Sequence, residues 1–121
     1  LGIESSCDET AASVIEIKNG APEVLSSIVS SQINIHKKYG GVVPEVAARK
    51  HAEVVFGVIQ KALGKLTIND IDLIAVTEGP GLVTSLRIGV LAAETIAALA
   101  KKPAHTISFS RQPQPTTRIW V

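Results

Sequence analysis

Cysteine is all but missing from this 121-residue sequence: Cys7 stands alone. It can close no internal disulfide, so a reducing compartment, the cytoplasm, is the expectation. Aromatic residues are scarce at 3%, which argues against a base-stacking platform within the chain. Charge of neither sign dominates. The net charge is +1, so no strong overall pull towards nucleic acid follows, local patches aside. No signal-peptide pattern opens the sequence. The most apolar run, Ile88 to Ala100, is interrupted by Glu94 and falls short of the ~20 residues that a bilayer span needs. No two histidines have metal-ligand spacing and there is no His-Glu-x-x-His, so a zinc protease has no support. What is present is 45% hydrophobic and 19% charged, enough for one folded domain with a modest core.

The chain starts at Leu1 with only four residues before a polar turn. That is short for a strand, and the expectation is a fragment that begins inside its first strand. Leu1–Glu4 is the stub, with Ala11–Ile17 and Glu23–Ser30 as further strands. Asn19-Gly20 between the latter two is a strong hairpin signal, because both residues accept positive φ. Residues 31–43 read as a loop ending in Tyr39-Gly40-Gly41. Pro44 suits the first turn of a helix. Ala47, Val54, Val55, Val58 and Ala62 follow helical spacing, which predicts a helix over 44–63 ending near Gly64. Glu45, Arg49 and Glu53 are spaced to pair along its outer face. Thr67 to Asp70 has capping-box spacing. Asp72–Thr77, continuously apolar over Leu73-Ile74-Ala75-Val76, reads as a strand covered on both faces. A second helix is expected over 84–102, capped by Thr84 or Ser85. Its polar residues Arg87, Glu94 and Lys101 form one narrow strip, so nearly all its sides should be buried, in its own domain or by a partner. The order β-β-β-α-β-α indicates an α/β domain.

Two segments carry candidate chemistry. Gly79-Pro80-Gly81 joins an apolar strand to a helix N-terminus. Ligands of open α/β sheets sit at strand carboxyl ends, and helix N-termini hold anions. The plain alternative is a tight turn that needs two glycines. The loop is not a Walker loop, since no lysine follows the second glycine. The turn Glu4-Ser5-Ser6-Cys7-Asp8-Glu9-Thr10 packs hydroxyls and carboxylates between two strands. It suits a phosphate, and the Glu4 carboxylate could reach a metal or an attacking group; its alternative is a solvated β-turn. Cys7 is a poor nucleophile beside acidic neighbours, which raise a thiol pKa. His51 falls on the apolar stripe of the first helix and reads as a core or interface histidine with one hydrogen bond. His36, beside Lys37-Lys38, reads as part of a solvated basic loop.

Three segments together resemble one family. They are Gly2-Ile3-Glu4-Ser5-Ser6-Cys7-Asp8-Glu9-Thr10, the stretch from Tyr39-Gly40-Gly41 through Pro44-Glu45 to His51, and Gly79-Pro80-Gly81-Leu82-Val83-Thr84-Ser85-Leu86 with Gly89. The family is the tRNA N6-adenosine threonylcarbamoyltransferases, and the resemblance covers residues 1 to about 103. It implies a truncated first lobe of an actin-like ATPase (ribonuclease H-like) fold over 1–103. It also implies transfer of a threonylcarbamoyl group from threonylcarbamoyl-adenylate to N6 of adenosine 37 in tRNAs reading codons that begin with A. On this resemblance Glu4, Asp8 and Glu9 are the candidate catalytic residues. Ser5, Ser6, Thr10, Gly79, Pro80 and Gly81 are the candidate substrate-binding ones. The implied partners are tRNA, threonylcarbamoyl-adenylate and a paralogous protein docking on helices 44–63 and 84–102.

The sequence departs from that family after Lys102-Pro103. The family's His-x-x-x-His pair, which binds a divalent metal (iron or zinc), is missing, so no metal ligand is assigned here. A strand is expected at Thr106–Phe109, inside a divergent tail, 104–121, whose Gln, Pro, Thr and Arg content predicts disorder. A frame change near codon 104 is one explanation. Without those ligands and a second lobe, the chain alone is expected to be inactive. Two alternatives stand beside the enzyme: the non-catalytic paralogous scaffold itself, and a small-molecule kinase of the same fold.

Overall fold

Residues 1–109 and the backbone of residues 119–120 are described by the structure, a computed structural model. Alternation of side chains builds the first half. Strands β1 (Gly2–Glu4), β2 (Glu9–Lys18) and β3 (Ala21–Ser31) form an antiparallel meander. Asn19 and Gly20 turn the second corner at φ 54° and 78°, the left-handed pair that a two-residue hairpin needs. Along β2, Thr10, Ala12 and Val14 point to the buried side. A register shift between Val14 and Ile15 bends the hairpin beyond them.

The expected loop 31–43 holds more structure than its composition suggests. It contains a short helix α1 (Ile33–His36) and a 3-10 turn over Lys37–Tyr39. His36 is buried there, not solvated. Its Nε2 donates to Gln32 Oε1 at 3.0 Å and the Val43 N–H reaches its Nδ1 at 3.4 Å. Buried Gln32 also donates to the Ala47 carbonyl at 3.3 Å, tying α1 to the next helix.

Helix α2 (Pro44–Leu63) has proline in its first turn and Gly64, at φ 60°, as its cap. Its inner face is Ala47, His51, Val55, Val58, Ile59 and Ala62. On the outer face Glu53 pairs with Lys50 at 3.0 Å, where Arg49 was the expected partner. The Thr67–Asp70 capping box forms around a 3-10 turn. Strand β4 (Ile74–Gly79) follows, then helix α3 (Val83–Ala100). The cap of α3 is Leu82, with no side-chain bond, whereas Ser85 is buried in the first turn. Neither Thr84 nor Ser85 caps it, because the preceding loop delivers Leu82 in extended conformation at the entry point.

The chain continues in regular structure past Pro103. Strand β5 (Ala104–Ser108) runs parallel to β4, and β6 (Ile119–Trp120) pairs antiparallel with β5. Ala104 and Thr106 alternate into the core, and this short alternation outweighs the polar composition that predicted disorder from 104. The rest of the expected disordered tail, 110–118 and 121, lies outside the described residues. The sheet order is β3-β2-β1-β4-β5-β6.

Helices α2 and α3 pack side by side on one face of this sheet, over β2 and β4. Ile3, Ala12, Val14, Ile74 and Val76 of the sheet meet Val55, Ile59, Ala92, Ala93 and Ala97 of the helices in the core. Each large side chain buried this way contributes about 1.5–3 kcal/mol. The opposite face carries an open groove of about 900 Å³, lined by Ser13, Ile15, Ala75, Thr77, Ile107 and Phe109 among others. The β4 strand is therefore not covered on both faces. By length and hydropathy α3 would pass as a membrane span, but Leu86, Gly89, Ala92, Ala93 and Ala97 bury one side of it. Its other side is open: Leu91 is 61% and Leu99 82% exposed.

Candidate functional site

Strands β1 and β4 are parallel neighbours, so their carboxyl ends emerge together. The first leads into the polar turn 5–8 and the second into Gly79-Pro80-Gly81. The two loops touch. The Leu82 N–H donates to the Ser6 carbonyl at 2.7 Å. A Cβ placed on Gly81 would lie 2.5 Å from that carbonyl oxygen, so only glycine fits the approach. The Phe109 N–H donates to the Gly79 carbonyl at 2.8 Å and anchors the other flank of the corner. The N-terminus of α3, with no side-chain cap, lies immediately beyond. Its first-turn N–H groups lack intrahelical partners, which gives the end of a helix its affinity for anions.

The candidate residues divide by direction. Ser5 is fully buried. Its hydroxyl donates to the Ser85 carbonyl at 2.8 Å and accepts from the Gly89 N–H at 3.1 Å. Those two groups, four residues apart, are the ones an α-helix pairs directly, so the Ser5 oxygen is inserted alongside the hydrogen-bond ladder of α3. Thr10 is also fully buried, its Oγ1 2.7 Å from His51 Nδ1. Neither hydroxyl lines an open surface. Ser6 and Asp8 are half-buried, and Glu9, Pro80 and Gly81 are exposed. Gly79 is half-buried beside them. The Asp8 carbonyl accepts from the Gln32 N–H at 2.9 Å, which holds the turn against the end of β3.

Glu4 borders the groove on the bare face. Partial burial raises its pKa, but hydrogen bonds from the Ser6 hydroxyl, the Thr77 hydroxyl and the Ser6 N–H outweigh that. The net result lies below the ordinary glutamate range, so Glu4 is an ionised acceptor at neutral pH. Cys7 is exposed. Desolvation first, then the Asp8 charge and hydrogen bond, raise its thiol pKa, the direction that leaves it protonated and unreactive. His51, expected to make one bond, makes two: its Nε2 also lies 3.0 Å from the Cys7 carbonyl. Sequence inspection missed this clamp, and missed Thr77 and Ser85. The signal available was side-chain parity: Ser5 continues the inward parity of Ile3, and Thr10 that of Ala12 and Val14.

No three His, Cys, Asp or Glu side chains form a metal-binding cluster among the described residues. Both ring nitrogens of His36 and of His51 are engaged within the protein. The described residues therefore do not fit a metal.

The sequence model of the tRNA N6-adenosine threonylcarbamoyltransferase family matches residues 23–110. The chain belongs to this family. A family member from Listeria welshimeri is 59% identical over 105 residues, which are 85% of this chain and 30% of that protein. One from Clostridioides difficile is 63% identical over 99 residues, 80% of this chain and 28% of that protein. The chain thus spans about 30% of the length of the curated relatives it matches. Among solved structures, YeaZ from Pseudomonas aeruginosa superposes with a TM-score of 0.62 at 18% identity, over 88% of this chain and 43% of that one. At that identity the likeness establishes the fold: a partial α/β lobe with the strand order described above.

Proposed function

We propose that this chain supplies the phosphate corner of a tRNA N6-adenosine threonylcarbamoyltransferase. The supporting observation is the direct contact between the polar turn and the Gly-Pro-Gly loop, through Leu82 N–H and the Ser6 carbonyl at 2.7 Å. The donor, threonylcarbamoyl-adenylate, presents a phosphate next to the carbonyl that the N6 amine of adenosine 37 attacks. Catalysis then needs the phosphate held, the carbonyl oxygen stabilised as it gains charge, and the amine aligned. In this proposal Gly79, Pro80, Gly81 and the α3 N-terminus hold the phosphate, with Ser6 and Asp8 at its edge. Glu9, or Glu4 from the groove side, orients the amine or a water. Ser5 and Thr10 act from inside by fixing the turn. The divalent metal implied by the family resemblance would be held by residues outside this chain, and no step is assigned to it here.

The exposed faces of α2 and α3 belong to the same proposal. Phe56, Leu91 and Leu99 are large, apolar and open to solvent, which suits a helical-bundle interface with a paralogous protein. The chain spans about 30% of the length of the curated relatives it matches, so the purified chain should show no transfer to tRNA, and turnover by it would overturn that point. The corner itself is tested by titrating the chain with AMP and following amide shifts. Shifts centred on Ser6, Asp8, Gly81 and Leu82 support the assignment. Shifts elsewhere, or none, defeat it.

A further inference from the structure

The geometry points to His51 as a positioning residue that sets the backbone of Asp8 and Glu9 from helix α2. This inference rests on the acyl-adenylate corner proposed above. His51 is fully buried on the inner face of α2. A buried ring that merely filled space would need one partner for its N–H. This ring has two, and both belong to one four-residue segment: the Cys7 carbonyl at Nε2, 3.0 Å away, and the Thr10 hydroxyl at Nδ1, 2.7 Å away. Those two residues flank Asp8-Glu9.

The chemistry of the partners fixes the ring. A carbonyl oxygen only accepts, so Nε2 carries the hydrogen and donates to Cys7. In the neutral ring Nδ1 then keeps its lone pair, and the Thr10 hydroxyl donates to it. The opposite tautomer would set a lone pair against the Cys7 carbonyl. Gln32 holds the Asp8 carbonyl from the strand side, and the imidazole grips the segment from the helix side. The backbone from which the two carboxylates project is thereby held on both flanks.

Nitrogen-15 NMR of the labelled 121-residue chain reads the tautomer directly. The expected result is a protonated Nε2 and an unprotonated Nδ1, and a protonated Nδ1 with a bare Nε2 overturns the assignment. Two variants then separate positioning from filling. His51→Ala removes both bonds, while His51→Gln keeps a donor within reach of Cys7. Amide exchange at Asp8, Glu9 and Thr10 should quicken about tenfold or more in His51→Ala and return towards wild type in His51→Gln, with Val55 and Ala93 unchanged. AMP affinity should fall and recover in the same order. Unchanged exchange at Asp8–Thr10 in His51→Ala sinks the inference. If His51→Ala does not fold, the wild-type tautomer and His51→Gln decide it. If the wild-type chain binds no AMP while tautomer and exchange come out as expected, the acyl-adenylate proposal fails and the positioning role of His51 stands.

Discussion

The inward side of the opening turn and its outward side are cut from the same short polar segment, yet they meet opposite surroundings. Ser5 and Thr10 are sealed in the protein, with every hydroxyl bond directed at a helix. Between them in sequence, Asp8 is half-buried and Glu9 exposed. A motif that looks like a uniform row of ligands is therefore two sets. One is a set of anchors whose loss is felt as instability. The other is the pair of carboxylates to which the proposed function gives the chemistry.

The largest expected effect comes from closing the gap between the loops. In Gly81→Ala the new methyl group meets backbone of Ser6 at 2.5 Å. The whole turn must move, and urea unfolding should show a loss of about 3 kcal/mol. Gly89→Ala puts a Cβ 2.5 Å from Ser5 Oγ. Better helix propensity offsets part of the clash, leaving a loss of about 2 kcal/mol. Adding Ser5→Ala should restore most of it, since the obstructing oxygen is then gone. Simple additivity of the two losses would show that the pair is not coupled. Thr10→Val keeps the shape and deletes the bond to His51, for about 1 kcal/mol in the same assay.

Outward substitutions should behave differently. Asp8→Asn and Glu9→Gln should change stability by less than about 0.5 kcal/mol. On the proposed reading Asp8→Asn should tighten AMP binding a few-fold, because a negative charge at the phosphate's edge is removed, and Glu9→Gln should change it less. A stability loss as large as that of Thr10→Val would move these carboxylates into the anchoring set. The smallest effect belongs to Glu4. Its folded pKa is depressed, so its contribution is present above the unfolded value and fades as pH falls through the folded one. The difference in urea midpoint between wild type and Glu4→Gln should therefore be full at neutral pH and shrink as the pH falls below the ordinary glutamate range.

Long periodic elements could be read from sequence because their signals repeat. The stripe Ala47–Ala62 predicts α2 to the residue, and Asn19-Gly20 predicts the hairpin. Elements that depend on distant partners were not legible. Helix α1 has four residues and no period; it exists because Gln32 and His36 bond to each other and to the start of α2. Strand β5 was expected at Thr106–Phe109 and runs over Ala104–Ser108; only its start was not legible, because that is set by pairing with β4. At the site, the residue types in both loops pointed to the corner, but not to which hydroxyls face inwards. That choice is made by sheet parity and by two helices, one of which delivers an imidazole from 41 positions downstream of Thr10.

The serine oxygen lodged beside the ladder of α3 has an evolutionary corollary. Ser5 and Gly89 lie 84 positions apart, and neither can drift freely. A bulkier residue at 89 requires a smaller one at 5, and a hydroxyl at 5 requires the absence of a side chain at 89. Sequences descended from this one should lose or keep the two together, a joint inheritance visible in any sufficiently deep sampling of its kin.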